Sequence, residues 1–264
     1  MSLIRRLFIV GLGALLVASA SPRPARSLDF TDLGVVFIHG KGMWPGAFDG
    51  GLVNLLREAG AKVATPGMPW SFTRIYGASY QEGLREIDAA VADVKRQGAT
   101  RIVVIGHSLG ANAAIGYAAR RHGIAAVVAL SPGHLPETEE MRDRTADAIA
   151  KARTLAASGE TSRRIWPDRI QGVPTVALAS PAVYLSMFDP DGPAVIPRNA
   201  AALRGVPLLW VVGESDPIFA RGRDYAFARA PKNPKSRYIE VSAGHLAAPR
   251  VARSQVVEWL KSLW

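Results

Sequence analysis

Ser108 stands where a serine is able to do chemistry. It lies in Gly106-His107-Ser108-Leu109-Gly110, a G-x-S-x-G pentapeptide between an apolar run, Ile102 to Ile105, and a chain of small residues reaching Ala119. A serine placed where a strand turns directly into a helix takes a strained backbone and crowds the positions two before and two after it. Glycine at both positions relieves the crowding, and the hydroxyl is then thrust out over a helix N-terminus. Alone, the pentapeptide is a weak signal, and an idle serine in a tight strand–helix turn has the same pattern. The flanking strand and helix add weight, and a matching base and acid would add more.

A hydroxyl is a poor nucleophile until a base takes its proton. The chain has five histidines. His39 belongs to an "HG" at a strand end, His107 is inside the elbow and points elsewhere, His122 ends a helix, and His134 opens a long insertion. His245, in "VSAGHLAAP", follows the last strand on a loop and is the expected base. The base needs an acid to fix its tautomer and stabilise the imidazolium. "VVGESDP" supplies Asp216 just past a strand end, where Pro217 breaks the strand into a loop; Glu214 is its competitor. Two backbone N–H donors must face the developing oxyanion. One is expected from Leu109, just after the serine, and the other from Lys41 in the glycine-rich "HGKGMWPGAF". Apolar residues of the sheet-edge loops and the insertion are candidates for the acyl pocket: Met43, Trp44, Met68, Trp70, Tyr184, Met187 and Phe188.

These residues need a frame. "LGVVFIHG", "AKVATPGMPW", "RIVVIG", "AAVVALSPG", "VPLLWVVG" and "SRYIEV" are short apolar or β-branched runs stopped by glycine or proline, and read as strands. Between the second and third, Leu84, Ile87, Val91 and Val94 recur at helical spacing from about Ser79 to Gln97, with Gly98 as terminator. A closing helix turns Val256, Val257, Leu260 and Leu263 inward. Strands apolar throughout and alternating with helices predict an α/β fold: a mostly parallel sheet of about six strands, covered by helices on both faces. Residues 134–205 interrupt that pattern, with a polar helical first half and an apolar, proline-rich second half. An insertion of roughly seventy residues is too long for a plain βα loop and predicts a cap over the strand ends.

"VVFIHG", "GHSLG", "VVGESDP" and "SAGH" succeed one another in the order found in the α/β-hydrolase superfamily, which residues 33–264 resemble. The insertion falls where members of that superfamily carry a lid. Little chain precedes the first strand, so the antiparallel N-terminal hairpin of larger members is expected to be absent or reduced. The resemblance implies a serine esterase or lipase-like enzyme with a Ser108–His245–Asp216 triad, no metal and no organic cofactor, acting on a small-molecule ester. A lipase, a thioesterase, a cofactor-free haloperoxidase or a C–C hydrolase would use the same triad, and a non-catalytic ligand-binding member of the fold is the alternative from another class. Dehalogenation would want a carboxylate at position 108. Fold membership does not fix the substrate.

The first 20 residues have the layout of a secretory signal peptide: Arg5 and Arg6, an apolar stretch from Leu7 to Val17, then Ala18-Ser19-Ala20 as a small-x-small cleavage site. "RRLFI" loosely resembles a twin-arginine export signal. Export to the periplasm or medium is therefore expected, with an uncleaved anchor as the alternative and residues 21–32 as a leader before the fold. The chain of 264 residues has no cysteine, which excludes disulfides, thiolate metal sites and a cysteine nucleophile. Its net charge is +10, with the basic residues scattered rather than in runs interleaved with aromatics, so nucleic-acid binding is not expected.

Overall fold

The computed structural model describes residues 29–264. The expected signal peptide and residues 21–28 of the leader lie outside the described residues. Six strands form one sheet: β1 (Leu33–Ile38), β2 (Lys62–Ala64), β3 (Arg101–His107), β4 (Ala126–Leu130), β7 (Leu208–Gly213) and β8 (Arg237–Val241). Their order is β2-β1-β3-β4-β7-β8, and every neighbouring pair is parallel. No antiparallel strand joins this sheet among the described residues. Among them, too, no helix is long and apolar enough to cross a membrane.

The central strands β1, β4 and β7 are buried at every position because each face packs against its own core, whereas the edge strands β2 and β8 carry charged residues. In β1, Val36 and Ile38 belong to one cluster, while Leu33, Val35 and Phe37 belong to the other. Ile102 and Val104 alternate in the same way with Val103 and Ile105 on β3. The first core is covered by α2 (Tyr80–Arg96) and α3 (Leu109–Ala118), and the second by α1 (Leu52–Glu58) and α8 (Arg253–Ser262). Helix α2 starts where its sequence says it should. Ser79 and Glu82 form a reciprocal capping box, and Leu84, Ile87, Val91 and Val94 make its buried stripe. Helix α1 has no comparable signature, since Gly51 in the left-handed region precedes it without a side-chain cap.

The insertion holds elements that its composition did not signal. Its polar half is the helix α4 (Glu139–Ala157), but the next element is an antiparallel hairpin, β5 (Arg164–Ile170) and β6 (Val173–Ala179). Gln171 and Gly172 make its two-residue turn with φ of 50° and 80°, the primed geometry that suits twisted hairpins. Then come α5 (Pro181–Phe188) and α6 (Ile196–Ala201), before the chain returns to the sheet. The short α7 (Ala248–Val251) comes after β8.

The elbow glycines are required by close backbone approach. A Cβ on Gly106 would stand 2.1 Å from the Gly110 carbonyl oxygen, and one on Gly110 2.1 Å from that of Ile38. Neither neighbour is a flexible side-chain end that can swing away. Gly106→Ala and Gly110→Ala are each expected to lower the unfolding free energy by about 3 kcal/mol, the upper part of the range for overpacking. Urea denaturation measures this; a loss below about 1 kcal/mol in both variants would mean the elbow has room to relax.

Candidate active site

Parallel strands end on the same side of a sheet, so the loops after them meet at one edge. Ile38 pairs with Gly106, His107 with Leu130, Leu130 with Val211, and Gly213 with Val241. This register brings the loops after β1, β3, β4, β7 and β8 together.

Ser108 takes φ 57° and ψ −122°, a conformation that an L-residue enters at a cost. Its amide donates to the Leu130 carbonyl at 3.0 Å, and its own carbonyl accepts from the Gly133 amide at 3.1 Å. Its Oγ lies 2.9 Å from His245 Nε2. His245 Nδ1 lies 2.8 Å from Asp216 Oδ2. With Nδ1 donating to the carboxylate, Nε2 is left as the acceptor facing the hydroxyl. The other Asp216 oxygen accepts from the Ile218 amide at 3.1 Å. Burial pushes the Asp216 carboxyl up, but the hydrogen bond from His245, its charge, and the Ile218 amide outweigh burial and hold it below the usual carboxylate value. Glu214 is exposed, so the structure brings Asp216, and not Glu214, to His245.

The loop after β1 passes directly beside the serine: a Cβ on Gly40 would stand 3.1 Å from Ser108 Cβ. His39 shapes this loop from inside. Its Nε2 accepts from the Met68 amide at 3.0 Å, so its proton sits on Nδ1, which donates to the Gly40 carbonyl at 2.8 Å. Burial lowers its pKa and keeps it neutral. Trp70 Nε1 donates to the His39 carbonyl at 3.0 Å. Met68 and Trp70 are both fully buried, and their hydrogen bonds buttress the loop from behind. Met43 is half-buried, and Trp44 is 63% exposed. Among the described residues, neither the Lys41 nor the Leu109 amide donates to another group.

His107 contributes something its sequence position did not reveal. Its ring turns under the site, and Nε2 lies 3.0 Å from the His245 carbonyl oxygen, to which it donates. Burial, then the neighbouring His245, lower its pKa to about 4, so the ring is neutral. It thus holds the loop that carries His245. Adjacency to the serine was visible in the sequence, but a bond across 138 positions was not.

Residues 35–259 match the model of the alpha/beta hydrolase family. The chain belongs to this family. No curated protein matches it. Among solved structures, one described with the metagenome-derived lipolytic enzymes LipS and LipT superposes with a TM-score of 0.61 at 15% identity, covering 88% of this chain and 93% of the other. A Paleococcus ferrophilus monoacylglycerol lipase gives 0.60 at 24% identity, covering 88% and 95%. A thioesterase domain from the curacin biosynthetic pathway gives 0.56 at 16% identity, covering 88% and 91%.

On this hydrolase core the insertion is tied to the site through Lys41. Its Nζ donates to Asp168 Oδ1 on β5 at 2.6 Å and to the Arg169 carbonyl at 3.1 Å. Tyr76 donates its hydroxyl to the other Asp168 oxygen at 2.7 Å. Burial, then the Asp168 charge, raise the Tyr76 pKa well above its ordinary value, which keeps it a donor. Asp168 was missed in the sequence. The available signal was its position two residues after Trp166, on the same buried face of a strand-like run. Phe188 packs beneath this pair, with Lys41 Nζ 5.5 Å from its ring centre. Tyr184 stacks on Phe188 at 4.3 Å and on Trp166 at 4.8 Å. Met187 is fully buried, and its carbonyl accepts from His134 Nε2 at 2.8 Å. Burial, then the Lys41 charge, lower the His134 pKa to about 3.

Breaking a buried ion pair from one side strands the other charge. Asp168→Asn is expected to cost about 3 kcal/mol locally and to speed amide exchange across residues 164–179 relative to β3. Hydrogen exchange measures it; unchanged protection of the hairpin would show that Lys41 and Asp168 do not hold the insertion down.

Proposed function

We propose that this protein is a serine hydrolase of carboxylic esters. The observation that carries the proposal is the unbroken relay from Ser108 Oγ through His245 to Asp216, with spacings of 2.9 and 2.8 Å. Ser108 Oγ attacks the ester carbonyl while His245 Nε2 takes its proton. Asp216 orients the imidazole and stabilises the imidazolium. The oxyanion is met by the Lys41 and Leu109 amides, which have no other acceptor among the described residues. His245 then protonates the departing alkoxide, leaving an acyl-enzyme at Ser108. Water, deprotonated by His245, attacks that acyl group and releases the acid. No step calls on a metal or a cofactor. Phe188 lies beneath Lys41 with Tyr184 stacked on it and Met187 buried next to it in the chain, and these support the acyl site from below, whereas Met43 and Trp44 stand on the loop after β1 as candidates for the entrance.

Ser108→Ala is expected to abolish covalent labelling by a fluorophosphonate probe. His245→Ala should lower turnover of a chromogenic short-chain ester by about 10⁴-fold or more, and Asp216→Asn by a somewhat smaller factor. Glu214→Gln should stay close to the parent. Circular dichroism checks folding in each case. Full ester turnover by Ser108→Ala would end the serine-hydrolase proposal, and a crippled Glu214→Gln beside a normal Asp216→Asn would reassign the acid.

We also propose that the protein is exported, on the pattern of Arg5 and Arg6, the apolar stretch and Ala18-Ser19-Ala20. Sequencing the N-terminus of protein recovered outside the cytoplasm should read from Ser21 or close to it. An intact Met1 or Ser2 start in the cytoplasmic fraction would overturn this.

A further inference from the structure

A cleft of about 200 Å³ opens near the relay, lined not by Ser108, His245 or Asp216 but by their sequence neighbourhood. Three segments that border the relay each add their next residue to its wall. Lys41 comes after Gly40, whose Cβ would stand 3.1 Å from that of Ser108. His134 comes after Gly133, whose Cβ would stand 2.9 Å from Ser108 Oγ. Pro217 comes after Asp216, the partner of His245. Successive Cα atoms are about 3.8 Å apart, so the cleft begins one residue away from the relay on three sides.

The remaining wall mixes apolar and neutral residues, Leu135 and Met141 among them, with charged ones that are mostly basic. It carries Arg144 from α4, Arg169 from β5 and Arg221 from the helical turn Phe219–Arg221. Glu140 is the carboxylate on that wall, and it pairs with Arg144 one helical turn away. Lys41 is already neutralised by Asp168. Arg169 donates to a backbone oxygen, that of Gly172, at 3.0 Å, which leaves its charge uncompensated. Arg221 lies 5.7 Å from the Tyr225 ring centre. The acid near it, Glu137, is occupied by the Tyr225 hydroxyl, and burial raises its pKa. Among the described residues neither Arg169 nor Arg221 has a carboxylate within ion-pair distance. Two arginines from separate elements, neither with a carboxylate partner, thus line one small cleft near the relay. Guanidinium presents planar paired donors that match the oxygens of a carboxylate or a phosphate.

We propose that Arg169 and Arg221 bind an anionic group, a carboxylate or phosphate, carried by the substrate away from its scissile carbonyl. The inference rests on the ester-hydrolase proposal for the chemistry, but the charge selection is this cleft's own. A neutral ester leaves both guanidinium groups with water, whereas an anionic one gains charge-assisted hydrogen bonds at a fixed distance from the carbonyl.

The test compares two esters of equal acyl length, 4-nitrophenyl pentanoate and the mono-4-nitrophenyl ester of glutaric acid. The ratio of their kcat/KM values is the readout, because misfolding lowers both terms alike. In the parent the anionic ester should be preferred about tenfold or more at low salt, with the preference shrinking in 0.5 M NaCl. In Arg169→Gln/Arg221→Gln the ratio should fall towards one, and Arg169→Lys/Arg221→Lys should retain part of it. A parent ratio at or below one, or an unchanged ratio in the double glutamine variant, would overturn the proposal. A second arm needs no turnover. Ser108→Ala protein is titrated by calorimetry with glutarate and with glycerol 3-phosphate, and the tighter binder identifies the oxyanion. Binding that is lost when both arginines become glutamine supports the proposal; absence of binding by either anion overturns it. Anion binding without hydrolysis of either ester would count against the ester proposal while upholding the anion site.

Discussion

The backbone contact at the elbow is the constraint on which the rest of the site depends. Gly106 and Gly110 face each other across the turn, and Gly110 also faces the last carbonyls of β1. No side chain fits in either gap. The contact has two consequences at once. It forces Ser108 into a positive-φ backbone that lifts its hydroxyl off the sheet, and it presses α3 against β1, the strand that leads into the Lys41 loop. Hydroxyl and the loop after β1 are thus set by one packing event. The strain at Ser108 is held from the other flank by its amide bond to Leu130 and by Gly133.

Burial sorts the histidines into different roles. His39, His107 and His134 are shifted downward because the charged form is penalised in an apolar setting. Each then makes a hydrogen bond to backbone: His39 to its own loop, His107 to the base-bearing loop, and His134 to the insertion. Neutral rings of this kind act as shaped spacers with one donor. His245 differs because both nitrogens meet side chains of opposite chemical character, a carboxylate and a hydroxyl. That asymmetry, rather than its being a histidine, is what equips it to carry a proton.

Much of this was legible in the sequence where the signal was local. The strands announced themselves as apolar runs because both faces are buried, α2 through its capping box and stripe, and the elbow through its two glycines. Asp216 could be chosen over Glu214 because Pro217 ends the strand and turns the chain. What stayed hidden was set by tertiary contact. Helix α1 is short, and the side chain that receives its Val53 amide, Asp49, stands three residues before the helix. The β5–β6 hairpin carries Pro167 and Pro174, tolerated because each strand of a two-stranded ribbon keeps one free edge. Met68 and Trp70 had the composition of a pocket, and their bonds to His39 through an amide and an indole, which hold the loop after β1, were not legible. Asp168 and His107 act across long sequence separations, and a single sequence carries no trace of such pairs.

Lys41 joins these layers in one residue. Its amide, on the loop beside the serine, has no acceptor among the described residues, while its side chain is anchored 127 positions away on the insertion. The side chain that joins the two is flexible in itself, but its ion pair with Asp168 ties the loop after β1 to the hairpin. Removing a lysine from water is costly, and Asp168 offsets that cost only in the docked arrangement. Undocking would expose both charges to water, so it costs less than stranding one charge by mutation. The docked insertion is therefore favoured by complementarity rather than by strength alone. In the proposed mechanism this has a direct consequence: the oxyanion donor is held in place when the insertion is down, and a cap in that position would also keep water from the carbonyl. A short-range electrostatic contact thereby couples enclosure of the substrate to preorganisation of the group that must meet its developing charge.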